Sequence, residues 1–395
     1  MSTSQPLGHL SEAELLELMG RYYAGERVAT LLEDYRVNCS AGTLCSHFPP
    51  EPRAELCRYC SAPMVRPRRS KSWSLESTLR CSQCAHIESL RCSCTGCTAE
   101  RLREEDVRIR QQHTKIQQFC SANWAYSPTQ IQPEQLTVRQ AAALISLVRC
   151  SGWLDDSRIG PISASGIRFA PYTPDFQSSL IECLITADLL SPDPASPSKP
   201  FIERAGQFVG MDSGQAHWVL RMPEAVRFVQ ALEVLIASED WPESWTNECY
   251  QIWHELAFAE CWEFCAYSLH QRSLPIPGAT ALTALIKYML RDFSVSQCYQ
   301  LLWASAGDAV DYRARKSVTA PHASNYMIGS CQRRVDRVRA EDWKIKGFRR
   351  NFELSRTQLS HVLHDLFLKH GEAGFTCCVA PPLSGALEGQ NSQLD

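Results

Sequence analysis

Seven cysteines crowd the stretch from Cys57 to Cys97, and their spacing constrains this chain more than any other feature. Cys57-Arg-Tyr-Cys60 and Cys81-Ser-Gln-Cys84 are two C-x2-C pairs separated by twenty residues. In a chain whose first residues show no secretion signal, such pairs read as a zinc ribbon rather than a disulfide framework. Each pair presents two thiolates to one tetrahedral ion, and four sulfurs fill its coordination sphere. A sphere filled by protein has no open position for water, so this zinc is expected to hold structure rather than do chemistry. Cys92, Cys94 and Cys97 follow at once and supply three sulfurs towards a second closed site. Its fourth ligand is open at this level: His86, Cys45, His47 and Cys120 are the candidates. One zinc ion is therefore expected, and a second would need one of those four.

The remaining cysteines, out of nineteen, mostly sit singly in apolar segments, as Cys150, Cys183 and Cys298 do. Free thiols acting as small core hydrophobes point to a reducing cytoplasm. No uncharged apolar run reaches bilayer-spanning length, so no membrane partner is expected. At 395 residues the chain is too long for one ordinary core. Its net charge of -3 excludes a uniformly basic nucleic-acid coat, so any such contact has to come from local patches.

Ahead of the ribbon, residues 11–50 read as three short helices. Ser11-x-x-Glu14 is a capping box, Gly25 a break, Arg27–Tyr35 a second helix, and a third is expected from Ser40 to Pro49-Pro50. Tyr23-Ala24-Gly25-Glu26 with Val28, Leu31, Val37 and Leu44 resembles the helix-turn-helix of resolvase- and transposase-type bacterial DNA-binding proteins. The resemblance spans about forty residues and departs at Arg36, where a turn glycine is usual, and at Leu32, where a small residue is usual. It implies a third helix in the major groove of double-stranded DNA, with Ser40, Thr43, Ser46 and His47 facing the bases.

The ribbon, residues 51–98, carries Arg66-Pro-Arg-Arg-Ser-Lys71 and then Trp73 between its knuckles. Arg66, Arg68, Arg69 and Lys71 on a metal-held loop suit phosphate contact. Residues 99–132, charged with sparse apolar positions, predict an exposed connecting helix. Residues 133–222 read as an α+β subdomain. Leu136-Thr137-x-x-Gln140 caps one helix, Leu180 to Leu190 forms another, and Phe208–Met211 is expected to pair with His217–Leu220 as a hairpin. A helix followed by such a hairpin would suit a winged helix.

Residues 223–379 are expected to be helical, and 380–395 a disordered tail. Glu233 to Glu263 holds eight acids, four tryptophans and no lysine or arginine. Such a face would repel phosphate; its alternatives are a docking surface, or tryptophans in the core with acids in solvent. Arg313 to Arg356 holds twelve lysines and arginines against four acids. Arg333, Arg334 and Arg337 on a helix begun by Pro321, then Lys344, Lys346, Arg349 and Arg350 after it, are the second candidate phosphate surface. They would otherwise pair with the acidic, tryptophan-rich span.

No catalytic constellation stands out. His254-Glu255 lacks the second histidine of a zinc-protease helix, His361-x-x-His364-Asp365 lacks a nameable third ligand, and glycine-rich phosphate loops are missing. The sequence thus predicts a mainly α-helical zinc protein: helix-turn-helix, ribbon, then a larger helical domain with a minor β-hairpin. Its expected role is DNA binding in gene regulation, with the helical domain for oligomerisation or partner docking. The alternatives are a non-catalytic zinc scaffold and a nucleic-acid-processing component of a mobile-element or defence system.

Overall fold

A computed structural model describes residues 6–71, 78–124, 126–238 and 240–379, which excludes Trp73 and the predicted tail. The chain divides into two units, Met1–Gln111 and Gln112–Asp395.

In the first unit, α1 (Glu12–Tyr23) begins at the predicted capping box: the Ser11 side chain accepts from the Glu14 N–H, and the Glu14 carboxylate accepts from Ser11. Gly25, at φ 95°, turns the chain into α2 (Val28–Asp34). Arg36 takes the left-handed turn position at φ 50° where glycine would be unstrained. Leu18, Met19, Tyr22, Leu31, Val37, Leu44 and Phe48 bury together under these helices. The expected third helix is not formed. Only a four-residue 3-10 turn, Leu44–His47, stands there, because Ser40 and Thr43 hydrogen-bond each other and the local backbone instead of starting a helix.

The ribbon is a three-stranded antiparallel sheet in the order β1 (Glu51–Leu56), β2 (Pro63–Arg66), β3 (Arg80–Cys81). Its own core is only Cys57, Met64 and Cys81. The helix α3 (Thr95–Asn123) begins within this unit, exposed along most of its length, and runs on into the second.

The second unit opens with α4 (Val138–Ser151), capped by Thr137 and Gln140 as predicted, then β4 (Arg158–Ile159), α5 (Phe176–Thr186) and β5 (Leu190–Pro192). The strands β6 (Phe201–Arg204) and β7 (Gln207–Met211) form a hairpin, and β8 (Trp218–Leu220) pairs with both β4 and β5. The expected hairpin of Phe208–Met211 with His217–Leu220 is therefore wrong. Ala205 and Gly206, both at positive φ, make the tight turn that folds β7 back onto β6.

The rest is helical: α6 (Ala225–Ser238), α7 (Ser244–His270), α8 (Ala279–Met289), α9 (Val295–Lys316), α10 (Ala320–Ala340), α11 (Gln358–His361) running into a π-helical turn (Val362–Phe367), and α12 (Ala373–Thr376). The spine is α7. Trp245, Cys249, Ile252 and Leu256 enter one core with α4 and α6; Cys261, Trp262, Phe264 and Leu269 enter a second with α8, α9 and α10. The molecule is mainly α with small antiparallel sheets. No helix among the described residues is long and apolar enough to cross a membrane.

Two closed metal centres and a sorted basic run

The two knuckles form where the strands end. After β1, the Ser61 N–H bonds the Cys57 carbonyl and the Cys57 N–H the Ala62 carbonyl, so Cys57 and Cys60 share one tight turn. After β3, Ala85 at φ 57° and the Cys81 N–H on the His86 carbonyl, 2.7 Å, do the same for Cys81 and Cys84. Sulfur separations are 3.6 Å for Cys57–Cys84, 3.3 Å for Cys60–Cys81 and 3.5 Å for Cys60–Cys84. A tetrahedral zinc with bonds near 2.3 Å sets its sulfurs roughly 3.8 Å apart, whereas a disulfide needs about 2.05 Å. The four thiols fit the ion.

His86 answers the open question of the second site. Its Nδ1 lies 3.4, 3.5 and 3.3 Å from the sulfurs of Cys92, Cys94 and Cys97, and the four ligand atoms lie within 4.8 Å of one another. Cys57, Cys60, Cys81 and Cys84 form the only other such group among the described residues. Neither Cys45 nor Cys120 belongs to either: Cys45 packs under α1, and Cys120 packs with Ile116 and Phe201. Each centre has four protein ligands and no open position, the arrangement of structural zinc.

Backbone amides favour the thiolate at one cysteine of each centre, Cys81 and Cys92, whereas Cys60, Cys84 and Cys94 are held above the ordinary thiol value. Burial would raise Cys81, but the Cys84 and Gln83 N–H groups, each 3.4 Å from its sulfur, pull it down to about 6. Cys92 falls to about 7, chiefly because the Ile87 N–H donates to it at 3.3 Å.

The centres are interlocked through Arg58 and Tyr59, the two residues inside the first knuckle. Tyr59 donates to Glu100 in the first turns of α3, and Arg58 bonds Glu100 at 3.0 Å and the Cys97 sulfur at 3.7 Å. The Tyr59 ring meets His86 edge-on at 5.0 Å. It also lies against Gly96, where a Cβ would sit 2.4 Å from the ring, so only glycine fits.

The predicted phosphate contacts sort differently. The Arg66–Lys71 loop is folded against its own unit rather than free: Arg68 pairs with Glu51 at 3.0 Å, and Lys71 donates to the Glu26 carbonyl at 2.8 Å. The Arg69 carbonyl accepts from Tyr23 and Cys45, and Arg66 is half-buried. Ser40, Thr43, Ser46 and His47 are exposed, but no α-helix carries them: Ser46 and His47 sit in the short 3-10 turn and Ser40 and Thr43 precede it.

In the second unit the basic run splits. Arg350 pairs at 2.6 Å with buried Glu260, so it is a structural cation, not a phosphate contact. Arg334 pairs with Asp308 at 2.7 Å, Arg339 with Asp292, and Arg356 with Asp365. Arg333, Arg337, Lys344, Lys346 and Arg349 are exposed and have no acidic partner among the described residues. The acids of α7 are answered from within: Arg168 meets Glu263, and Arg139 meets Glu255. Trp245 and Trp262 are core residues and Trp241 and Trp253 are half-buried, which is the alternative with tryptophans in the core. His361 bonds Asp365, while His364 is buried with its Nδ1 3.1 Å from His370 Nε2.

Comparison with protein-family models, with curated proteins and with solved structures finds no match. The fold and its two centres define a zinc-binding, mainly α protein.

Proposed function

We propose that this is a zinc-containing nucleic-acid-binding protein, acting in gene regulation, whose main backbone grip lies on the second unit. One observation carries the reading: of the seven candidate phosphate contacts in the basic run, five have no acidic partner among the described residues once Arg334 and Arg350 are paired, and they line adjoining clefts. There are three such clefts. Arg315, Arg333 and Arg337 line the first, Arg337, Lys344 and Lys346 the second, and Lys346 and Arg349 the third. The local fold builds them. At the end of α10 Asp342 turns left-handed at φ 49°, and the Trp343 N–H closes on the Val338 carbonyl, which returns the chain along α9. Gln297 then donates to the Ile345 carbonyl, and Ser296 and Phe348 bond each other. Gly347 is required there, since a Cβ would meet the Ser296 hydroxyl at 2.0 Å.

The two zinc centres hold the N-terminal unit, which supplies a second and smaller contact through exposed Ser40, Thr43 and His47 on the helix-turn-helix-like segment. The test is binding of a labelled DNA duplex at two or more salt concentrations. Five neutralised phosphates give a slope of log affinity against log salt of about -4.5. Arg337→Ala with Lys344→Ala should flatten it by about 2. Absence of any shift at low salt, or a slope untouched by the double variant, defeats the reading.

A further inference from the structure

The middle cleft sets an exposed tryptophan beside four aliphatic side chains. Its volume is about 360 Å³, within the range that takes a small organic group. Trp343, 56% exposed, forms one side; Leu301, Ala304, Val338 and Ile345 supply the apolar lining; Arg337, Lys344 and Lys346 line it too, beside Arg334, which is already paired with Asp308. Gln300 also lines it, and its Oε1 is shielded from water with no hydrogen-bond partner among the described residues. A buried amide oxygen left without a donor costs free energy, which a ligand donor could recover after a small rotation of the amide.

We propose that this cleft is a subsite for one unpaired nucleobase of a single-stranded nucleic acid. The inference rests on the nucleic-acid reading above and narrows its ligand from any polyanion to a strand with a base free to leave the stack. Trp343 supplies the stacking platform, the apolar lining takes the rest of the base, and the three cations hold the flanking phosphates. Gln300 offers an amide to the base edge. A duplex satisfies the cations but cannot place a paired base beside the tryptophan. An acidic peptide satisfies them too, yet it has no flat apolar face to fill the cleft. Base–aromatic stacking and a basic track together are the usual means of gripping a single strand.

The probes are a fluorescein-labelled twelve-residue oligothymidylate and a backbone of equal length carrying abasic sites, measured by anisotropy with the full chain. The base-bearing strand should bind about tenfold more tightly than the abasic one. Trp343→Leu should bring the two to equal affinity while leaving the salt slope unchanged, and Trp343→Phe should restore most of the gap. Because Trp343 is more than half exposed, the leucine variant should melt as wild type does. Equal binding of both strands to wild type, or a gap that survives Trp343→Leu, overturns the base subsite and leaves the backbone grip standing. Displacement by polyglutamate as readily as by oligothymidylate overturns it as well, in favour of a general acid-binding surface. No binding of either strand or of duplex removes the nucleic-acid reading itself.

Discussion

The ribbon and the helical unit reach a folded state by opposite means. The ribbon buries Met64 and two ligand cysteines of its own, far too little apolar surface to offset the ordering of some forty residues. Two ions must supply the difference, since binding energy at a closed site is folding energy. The helical unit buries two large apolar clusters that meet along α7. Its specific features are buried charges instead, Glu260 with Arg350 and Glu263 with Arg168. One region is held by a few directional bonds, the other by many weak contacts and a few charge pairs.

The sharpest break between them should come from removing metal. Chelation, or Cys57→Ser with Cys60→Ser, should unfold the ribbon outright, with an apparent loss of about 10 kcal/mol or more. Nine of the ten tryptophans lie in residues 112–395, so tryptophan fluorescence reports the second unit almost alone. It should stay unchanged as zinc, two ions per chain, is released to a colorimetric chelator. A tryptophan signal that collapses along with metal release would show the units to be one cooperative system.

The converse experiment breaks the helical unit and spares the metal. Glu260→Ala leaves buried Arg350 with only the exposed Glu372 carboxylate, 3.5 Å away, and should cost about 3 kcal/mol. Glu260→Met with Arg350→Met, which removes both charges, should recover most of that. Zinc content should remain two throughout. A single variant as stable as wild type would mean that solvent reaches the pair.

Acid should distinguish the regions again. His364 is held far below its usual value, down to about 3, chiefly by burial and then by His370, Arg356 and Arg350; Asp365 opposes them. The unfolded chain, at 6.5, takes the proton first, so this contribution is full above pH 6.5 and is lost between pH 6.5 and about 3. At the acid end the loss is on the order of a few kcal/mol. His364→Gln should flatten that limb of the tryptophan-monitored stability profile, and an unaltered limb would assign acid sensitivity elsewhere.

These differences also explain what could be seen in the amino-acid sequence. Metal ligation by tight turns is written locally, so Cys57, Cys60, Cys81 and Cys84, and then Cys92, Cys94 and Cys97, stood out by spacing alone. His86 was one of four choices because the fourth ligand is selected through space; its position directly after the second knuckle was the available clue. Capping boxes at Ser11 and Thr137 were legible for the same local reason. Strand pairing was not: the Ala205-Gly206 turn is a weak signal beside the Asp-Ser-Gly-Gln stretch that follows it. The basic run was legible as charge but not as function. Which arginines are committed to the fold depends on acids as distant in sequence as Glu260 is from Arg350.

The smallest effect tests whether the two centres within the ribbon are themselves independent. Arg58 and Tyr59 belong to the first knuckle, yet their contacts go to Cys97, His86 and Glu100 of the second. Outer residues that orient metal ligands typically contribute 10–100-fold in affinity. Tyr59→Ala should therefore weaken the site of His86 and its three cysteines by about tenfold while the four-cysteine site keeps its ion, giving two-phase zinc release in a chelator titration. Arg58→Ala should do less, since the guanidinium is mostly exposed and its ion pair with Glu100 is screened. If both variants release two ions in one phase at the wild-type chelator concentration, the contacts between knuckle and helix contribute packing alone. The ribbon would then consist of two separately folding metal sites rather than one interlocked pair.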